Sequence, residues 1–187
     1  NLGIAVHPDF EYQVVKYNGE SYLVAKERVA FLAEKFGWEN YETGEVLVGK
    51  DLEYLLCQHP FLDRTSTVIL ADYVTLDSGT GLVHTAPGHG VDDYLVGQLQ
   101  YKLGVLSPVD NQGVLTEEAG QFAGKFVFDA NKDIIAHLDE TGALLKQEDI
   151  THSYPHDWRS KKPIIFRATP QWFCSVDAFR SELLEAV

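Results

Sequence analysis

Fourteen residues in the middle of the chain, GLVHTAPGHGVDDY at 81–94, gather two histidines, two aspartates and three glycines. Those side chains could ligate a metal, work as an acid–base pair, or do no more than mark a strand-to-helix turn. A strand should end near His84. Pro87, Gly88 and Gly90 then permit a tight turn, and a helix begins around Val91. Asp92 and Asp93 fall in its first turn, where unpaired amides and the helix dipole favour an ionised carboxylate. Capping alone explains acidic residues there and needs no function. Three features pull the other way. His84 and Asp93 lie on either side of a turn that folds back, so both can face one pocket. The glycines let a ligand approach the backbone. A buried carboxylate without a cation is costly, which suits a ligand ammonium group.

Other chemistries fit less well. His84, His89, Asp92 and Asp93 are metal-ligand types, but their spacing is neither HExxH nor another metal motif. No GxSxG elbow supplies a serine nucleophile. GTG and GHG lack the spacing of either glycine-rich phosphate loop.

The elements that must hold this stretch follow from patterning. EYQVVKYNGESYLVA at 11–25 is two alternating runs around Asn18-Gly19, a hairpin signal. KERVAFLAEKFG reads as a helix with Val29, Leu32 and Phe36 on one face and Gly37 as its stop. Strands are expected at 45–49, 67–76 and 80–85, the last two joined by the turn LDSGTG. VDDYLVGQLQYKLG reads as a helix whose Val91, Leu95, Leu99 and Leu103 share a face. DANKDIIAHLDETG is another helix, with Asp129 as N-cap and Gly142 as stop. Short strands fill 112–116, 125–128, 143–150 and IIFRAT, and VDAFRSELLEAV closes the chain as an amphipathic helix. Many short strands with a few helices predict an α+β domain, a curled sheet or barrel with helices packed around it. The aromatic and basic run SYPHDWRSKKP at 153–163 marks the best boundary.

Bulk properties bound the function. At 187 residues the chain can bury one substantial core. With 15 basic against 28 acidic residues it carries a net charge of −13, which argues against a general nucleic-acid binder. One nucleic acid held by a local basic patch remains compatible. Cys57 and Cys174 are too few for a disulfide framework, and a reducing cytoplasm is expected. No apolar run is long enough for a membrane span, so no membrane partner is expected. Without a single methionine, the chain reads as a piece of a longer one.

Three stretches carry a resemblance. NLGIAVHPDFEY, GTGLVHTAPGHGVDDY and HSYPHDWRSKKPIIFRATPQWF look like the inserted editing domain of bacterial-type isoleucyl-tRNA synthetases, in the same order and over essentially the whole chain. The valyl and leucyl relatives share the GTG…P…D outline, but the HTAPGHG wording is closer to the isoleucyl family. The resemblance implies a barrel-like editing domain over 1–160 and, over 161–187, a return segment toward a class I catalytic domain. It implies hydrolysis of valine wrongly esterified to isoleucine tRNA; the alternative is a module that only binds and guides the tRNA 3′ end. The need is physical. Valine lacks one methylene, a difference worth about 1–3 kcal/mol in a pocket, a figure established with this synthetase family rather than derived from this chain.

Carried over, Asp93 and His84 become the catalytic pair. Asp93 holds the α-ammonium, as an anchor rather than a base because a helix start favours its ionised form. His84 lines the pocket near the ester and ribose. Thr85, Ala86, Pro87, Gly88, His89 and Gly90 shape the substrate-binding wall. Arg159, Lys161 and Lys162 are candidate tRNA backbone contacts. The expected partners are the valine-carrying 3′ end of isoleucine tRNA and the catalytic domain of the same chain. No metal or other cofactor is expected in this domain, ATP and magnesium being used by the parent enzyme.

Overall fold

The computed structural model describes residues 1–186 as a mixed α+β fold with strands in two sheets. After strand β1 (Gly3–Val6), the two alternating runs form β2 (Glu11–Tyr17) and β3 (Glu20–Ala25). Asn18 and Gly19 between them have φ of 49° and 83°, the left-handed pair that a two-residue hairpin turn demands. Helix α1 (Val29–Phe36) follows a 3₁₀ turn and stops at Gly37, which is left-handed at φ 71°. Its inner face, Val29, Leu32 and Ala33, packs on Val15 and Val24 of the hairpin. Trp38 completes this core, with the rings of Tyr17, Tyr22 and Phe36 at 5.8, 4.7 and 5.0 Å. Strand β4 (Glu42–Val48) pairs with the other edge of β2.

The second sheet adds β5 (Leu56–Gln58), β6 (Thr65–Leu70) and β7 (Val83–Thr85) in the order β5-β6-β1-β7. Here the structure departs from the expected hairpin over 67–85. β6 stops at Leu70, and β1 lies between β6 and β7, parallel to the first and antiparallel to the second. Local turn chemistry could not reveal this, because the intervening strand comes from the start of the chain. Ala5 and Val6 of β1 are fully buried, which makes β1 the centre of the sheet. Tyr12 ties the two sheets together: its hydroxyl donates to Gly81 O at 2.9 Å and accepts from His7 N at 2.9 Å. Gly81 is needed here, since a Cβ would stand 2.4 Å from that of Ala25.

The helix expected at 91–104 forms, but not as a regular α-helix. One α-turn, α2 (Val91–Asp93), runs directly into a π-helix over Tyr94–Gln100. The wider turn rotates the face. Val91, Leu95 and Leu99 are 71%, 49% and 50% exposed, while Val96, Tyr101 and Leu103 pack against the β1–β6 core. A 3.6-residue spacing rule holds only while the helix keeps its period.

Beyond residue 104 the expected strands are mostly absent. Those at 112–116 and 125–128 reduce to the bridges Val109–Leu115 and Val114–Phe126, and 143–150 and 164–169 hold no strand. Helix α3 (Val127–Glu140) starts two residues before Asp129, with Phe126 at the N-cap and no side-chain cap. The bridge at Phe126 leads the backbone straight into the helix, so Asp129 lies in its first turn. Gly142, left-handed at φ 72°, ends it as expected. A 3₁₀ turn over Val176–Phe179 and helix α4 (Arg180–Glu185) follow; Val187, the last residue of the expected terminal helix, lies outside the described residues. Among the described residues no helix is long and apolar enough to cross a membrane.

Candidate functional site

The site is built where β7 ends. β7 pairs with β1 so that Ile4 faces His84 and Gly3 faces Thr85. Successive residues of a strand point to opposite faces. Thr85 therefore turns inward, fully buried, with its hydroxyl 3.0 Å from that of Tyr73, while His84 turns outward and is exposed.

The next four residues close a turn, His89 N donating to Ala86 O at 2.8 Å. Three glycines make the crowding around it tolerable. A Cβ on Gly88 would stand 2.1 Å from Leu106 O, and one on Gly97 would stand 2.7 Å from Pro87 Cγ. The backbone of the π-helix thus rests against the proline of the turn. Gly90 is the N-cap of α2, and its own Cβ would fall 2.7 Å from Asp93 Oδ2.

That last distance separates the two aspartates. Neither caps the helix, whose N-cap makes no side-chain hydrogen bond. Asp92 is exposed. The Asp93 side chain folds back over Gly90 and accepts from Ala86 N at 3.1 Å. A backbone amide therefore fixes one carboxylate oxygen, and among the described residues no hydrogen bond engages the other.

The electrostatics centre on the same carboxylate. Burial lowers the pKa of His84, and Asp93 opposes it. His84 keeps an open edge to solvent, yet the protein around the ring is dense enough to disfavour the imidazolium. Its ring is therefore neutral near pH 7, able to accept a hydrogen bond on one nitrogen. Burial raises the Tyr73 pKa; the Thr85 hydrogen bond opposes this, and Asp93 and Asp92 raise it further.

His84, the turn from Thr85 to Gly90, and Asp93 are thus brought together. Within that set Thr85 and Pro87 have no exposed surface and support the wall from behind. The His89 ring turns away from Asp93 to Phe166 O, 2.9 Å from its Nδ1. Arg159, Lys161 and Lys162 lie on a separate exposed loop, where Arg159 stacks 5.2 Å from the Trp158 ring centre. Among the described residues no hydrogen bond or ion pair joins that loop to the turn. The possible metal ligands do not converge: no group of three or more His, Cys, Asp or Glu side chains among the described residues is arranged to hold an ion.

Two participants were invisible to motif reading. Tyr73 lies in a loop, and only the fold brings it to Thr85. Residues 166–168 reach the turn through their backbone, which no side-chain pattern records. They face Pro87–Val91 and Tyr94 across a cleft of about 250 Å³. A larger surface cleft, about 580 Å³, lies at the tip of the β2–β3 hairpin; it is lined by Glu20, Glu39 and Glu42 and by none of the candidate residues.

Comparison with known proteins bears on the chain as a whole. No family model matches the chain. Over all 187 residues it is 60% identical to the isoleucine–tRNA ligases of Bacillus cereus (strain AH187) and Bacillus anthracis (strain CDC 684 / NRRL 3495). It spans 20% of the length of each. A solved structure, the crystal structure of GlLeuRS-CP1, shares the fold at TM-score 0.62 and 18% identity, covering 83% of this chain and 79% of that one. The chain is thus similar along its whole length to one fifth of these ligases, and its fold is like that of GlLeuRS-CP1.

Proposed function

We propose that the chain is the editing domain of an isoleucyl-tRNA synthetase and hydrolyses valine wrongly esterified to isoleucine tRNA. The observation that carries this reading is the Asp93 carboxylate, folded over Gly90 and held by Ala86 N at the end of β7. The relationship to isoleucine–tRNA ligases and the CP1-like fold support the same reading.

In this reading the α-ammonium of the esterified valine binds the free oxygen of Asp93. That contact orients the ester toward His84, whose lowered pKa keeps its ring neutral. A neutral imidazole can accept a hydrogen bond from the ribose hydroxyl or from the attacking water, and so positions rather than strongly activates it. The water oxygen bonds to the ester carbonyl carbon, and the bond from that carbon to the ribose oxygen breaks. Of the two water protons, one passes to the ribose oxygen and the other to solvent, and valine leaves as its carboxylate. The turn from Thr85 to Gly90 sets the wall that admits valine. Arg159, Lys161 and Lys162 contact the tRNA backbone from outside this centre. The chemistry calls on no cofactor in this domain; the parent's ATP and magnesium serve its synthetic site, in the cytoplasm.

The test is Asp93→Ala in the full-length synthetase. Loss of a charge-assisted hydrogen bond should slow deacylation of Val-tRNA(Ile) about tenfold to a hundredfold, with isoleucylation unchanged. Unaltered deacylation would overturn the assignment. Weaker tRNA binding with unaltered single-turnover hydrolysis would favour a non-catalytic guide for the tRNA end.

A further inference from the structure

We propose that His89 is a positioning residue for the editing site, the middle of a hydrogen-bonded relay that runs from the backbone of residues 166–168 to the Asp93 carboxylate. The inference rests on the role given to Asp93 above. The relay has three links. His89 Nδ1 lies 2.9 Å from Phe166 O; a carbonyl can only accept, so Nδ1 carries the proton and donates. His89 N donates to Ala86 O at 2.8 Å. Ala86 N donates to Asp93 Oδ2 at 3.1 Å. One residue thus holds the outer segment with its ring and the amide-bearing residue of the site with its backbone.

The segment grips the turn at a second point, Ala168 N donating to Gly88 O at 2.8 Å. Between the two grips, Arg167 points the other way, and its guanidinium donates to Val109 O at 3.2 Å and to Asn111 Oδ1. The segment is therefore fixed to the body of the domain independently of the turn it holds. On its opposite side the turn has no room to retreat, because Gly88 already abuts Leu106 O. The cleft of about 250 Å³ between the turn and residues 166–168 is where the turn can yield. Without the His89 ring bond the turn loses its tie across that cleft, and Ala86 N loses its fixed aim at Asp93. The effect falls on the aim of the ammonium anchor while the Asp93 carboxylate itself remains to orient the bound ester, so it should change substrate affinity more than the chemical step.

The experiment compares His89→Ala, His89→Asn and Asp93→Ala in the full-length synthetase, with Val-tRNA(Ile) as substrate. The Asn side chain offers an amide N–H where Nδ1–H stood. His89→Ala is expected to raise the KM of deacylation about tenfold with kcat within about twofold, and His89→Asn to restore KM to within about threefold of wild type. An unchanged KM in His89→Ala, or a raised KM that Asn fails to restore, overturns the relay. If His89→Ala lowers thermal stability enough to cloud the comparison, Arg167→Ala decides: it frees the same segment from Val109 without touching the turn and should also raise KM, and an unchanged KM there overturns the proposal. Asp93→Ala keeps the two levels apart. Normal deacylation in that variant removes the underlying reading, whereas loss there beside a wild-type His89→Ala removes only the role of His89.

Discussion

At the scale of single residues, the site depends on one glycine and one charge. Residue types in HTAPGHGVDDY cannot distinguish Asp92 from Asp93, and helix-start arguments treat both alike. The resemblance separated them, and the fold supplies the physical reason: only Asp93 folds back to the Ala86 amide. Gly90 permits this because it lacks a Cβ, not because of its backbone, whose φ of −139° any residue can adopt. Gly90→Ala should therefore fold normally, within about 1 kcal/mol of wild type by denaturant titration, while its methyl group displaces the carboxylate. Deacylation should fall toward the Asp93→Ala level, and wild-type activity would show that the back-folded carboxylate is dispensable. His84 gives a second reading of the same charge. Asp93 is the group that raises the His84 pKa against burial. Replacing it by Asn in Asp93→Asn removes that support, so the His84 pKa should drop further below its ordinary value. NMR titration of the ring checks this, and a rise would mean that the two groups do not share a field.

At the scale of elements, the expectations that held were those settled by local chemistry. Asn18-Gly19 and Gly37 specify left-handed backbone wherever they occur, and both ended their elements where expected. What failed depended on partners distant in sequence or on a change of helical period. The π-helix is the clearest case, because Val91, Leu95 and Leu99 fit an ideal α-helical stripe and are nonetheless turned outward. This register can be tested by stability. Leu95→Gln and Leu99→Gln in the isolated domain should cost no more than about 0.5 kcal/mol, whereas Leu103→Ala, which empties a packed site against Ile69, should cost about 2 kcal/mol or more. The reverse order would restore the α-helical face. The loop between β5 and β6 holds a further consequence. His59 Nδ1 accepts from Phe61 N and Leu62 N, and burial, then Arg64, lower its pKa from 6.5 to about 4. Between those values the unfolded chain binds the proton and the folded one does not, so this group's contribution is fully present above pH 6.5 and is lost as pH falls toward 4. His59→Asn keeps an acceptor without the titration. The difference in unfolding free energy between the two proteins should change with pH across that window and stay flat above it.

At the scale of the whole molecule, burial divides the chain unevenly. The two sheets and α1 hold the packed clusters, while the last third is open: Trp158, Trp172, Phe173 and Leu184 all lie on the surface. Composition gave no warning of this, because apolar residues are spread along the chain and a sequence does not say which of them face a partner. The boundary read at 153–163 rests on sequence tone alone; burial thins earlier, Ala130 being the last buried residue among the described ones. The exposed aromatics have a consistent account in the proposed function. Relatives at 60% identity are about five times as long, this chain covering 20% of them, and an apolar surface of this kind is ordinarily an interface. The segment that carries it also grips the editing turn through Phe166 and Ala168, so whatever covers it lies within reach of the site. Taking the cover to be the rest of the synthetase gives a direct measurement. Trp172 is fully exposed in this domain, and its fluorescence in a variant with Trp38 and Trp158 replaced by Phe should be quenched by acrylamide as readily as free tryptophan. In the full-length enzyme, with Trp172 as the only remaining tryptophan, quenching should fall several-fold as the indole becomes buried against the catalytic body. Equal quenching in the two proteins would mean that this surface stays open in the intact enzyme, and the grip on the turn would then be set within the domain alone.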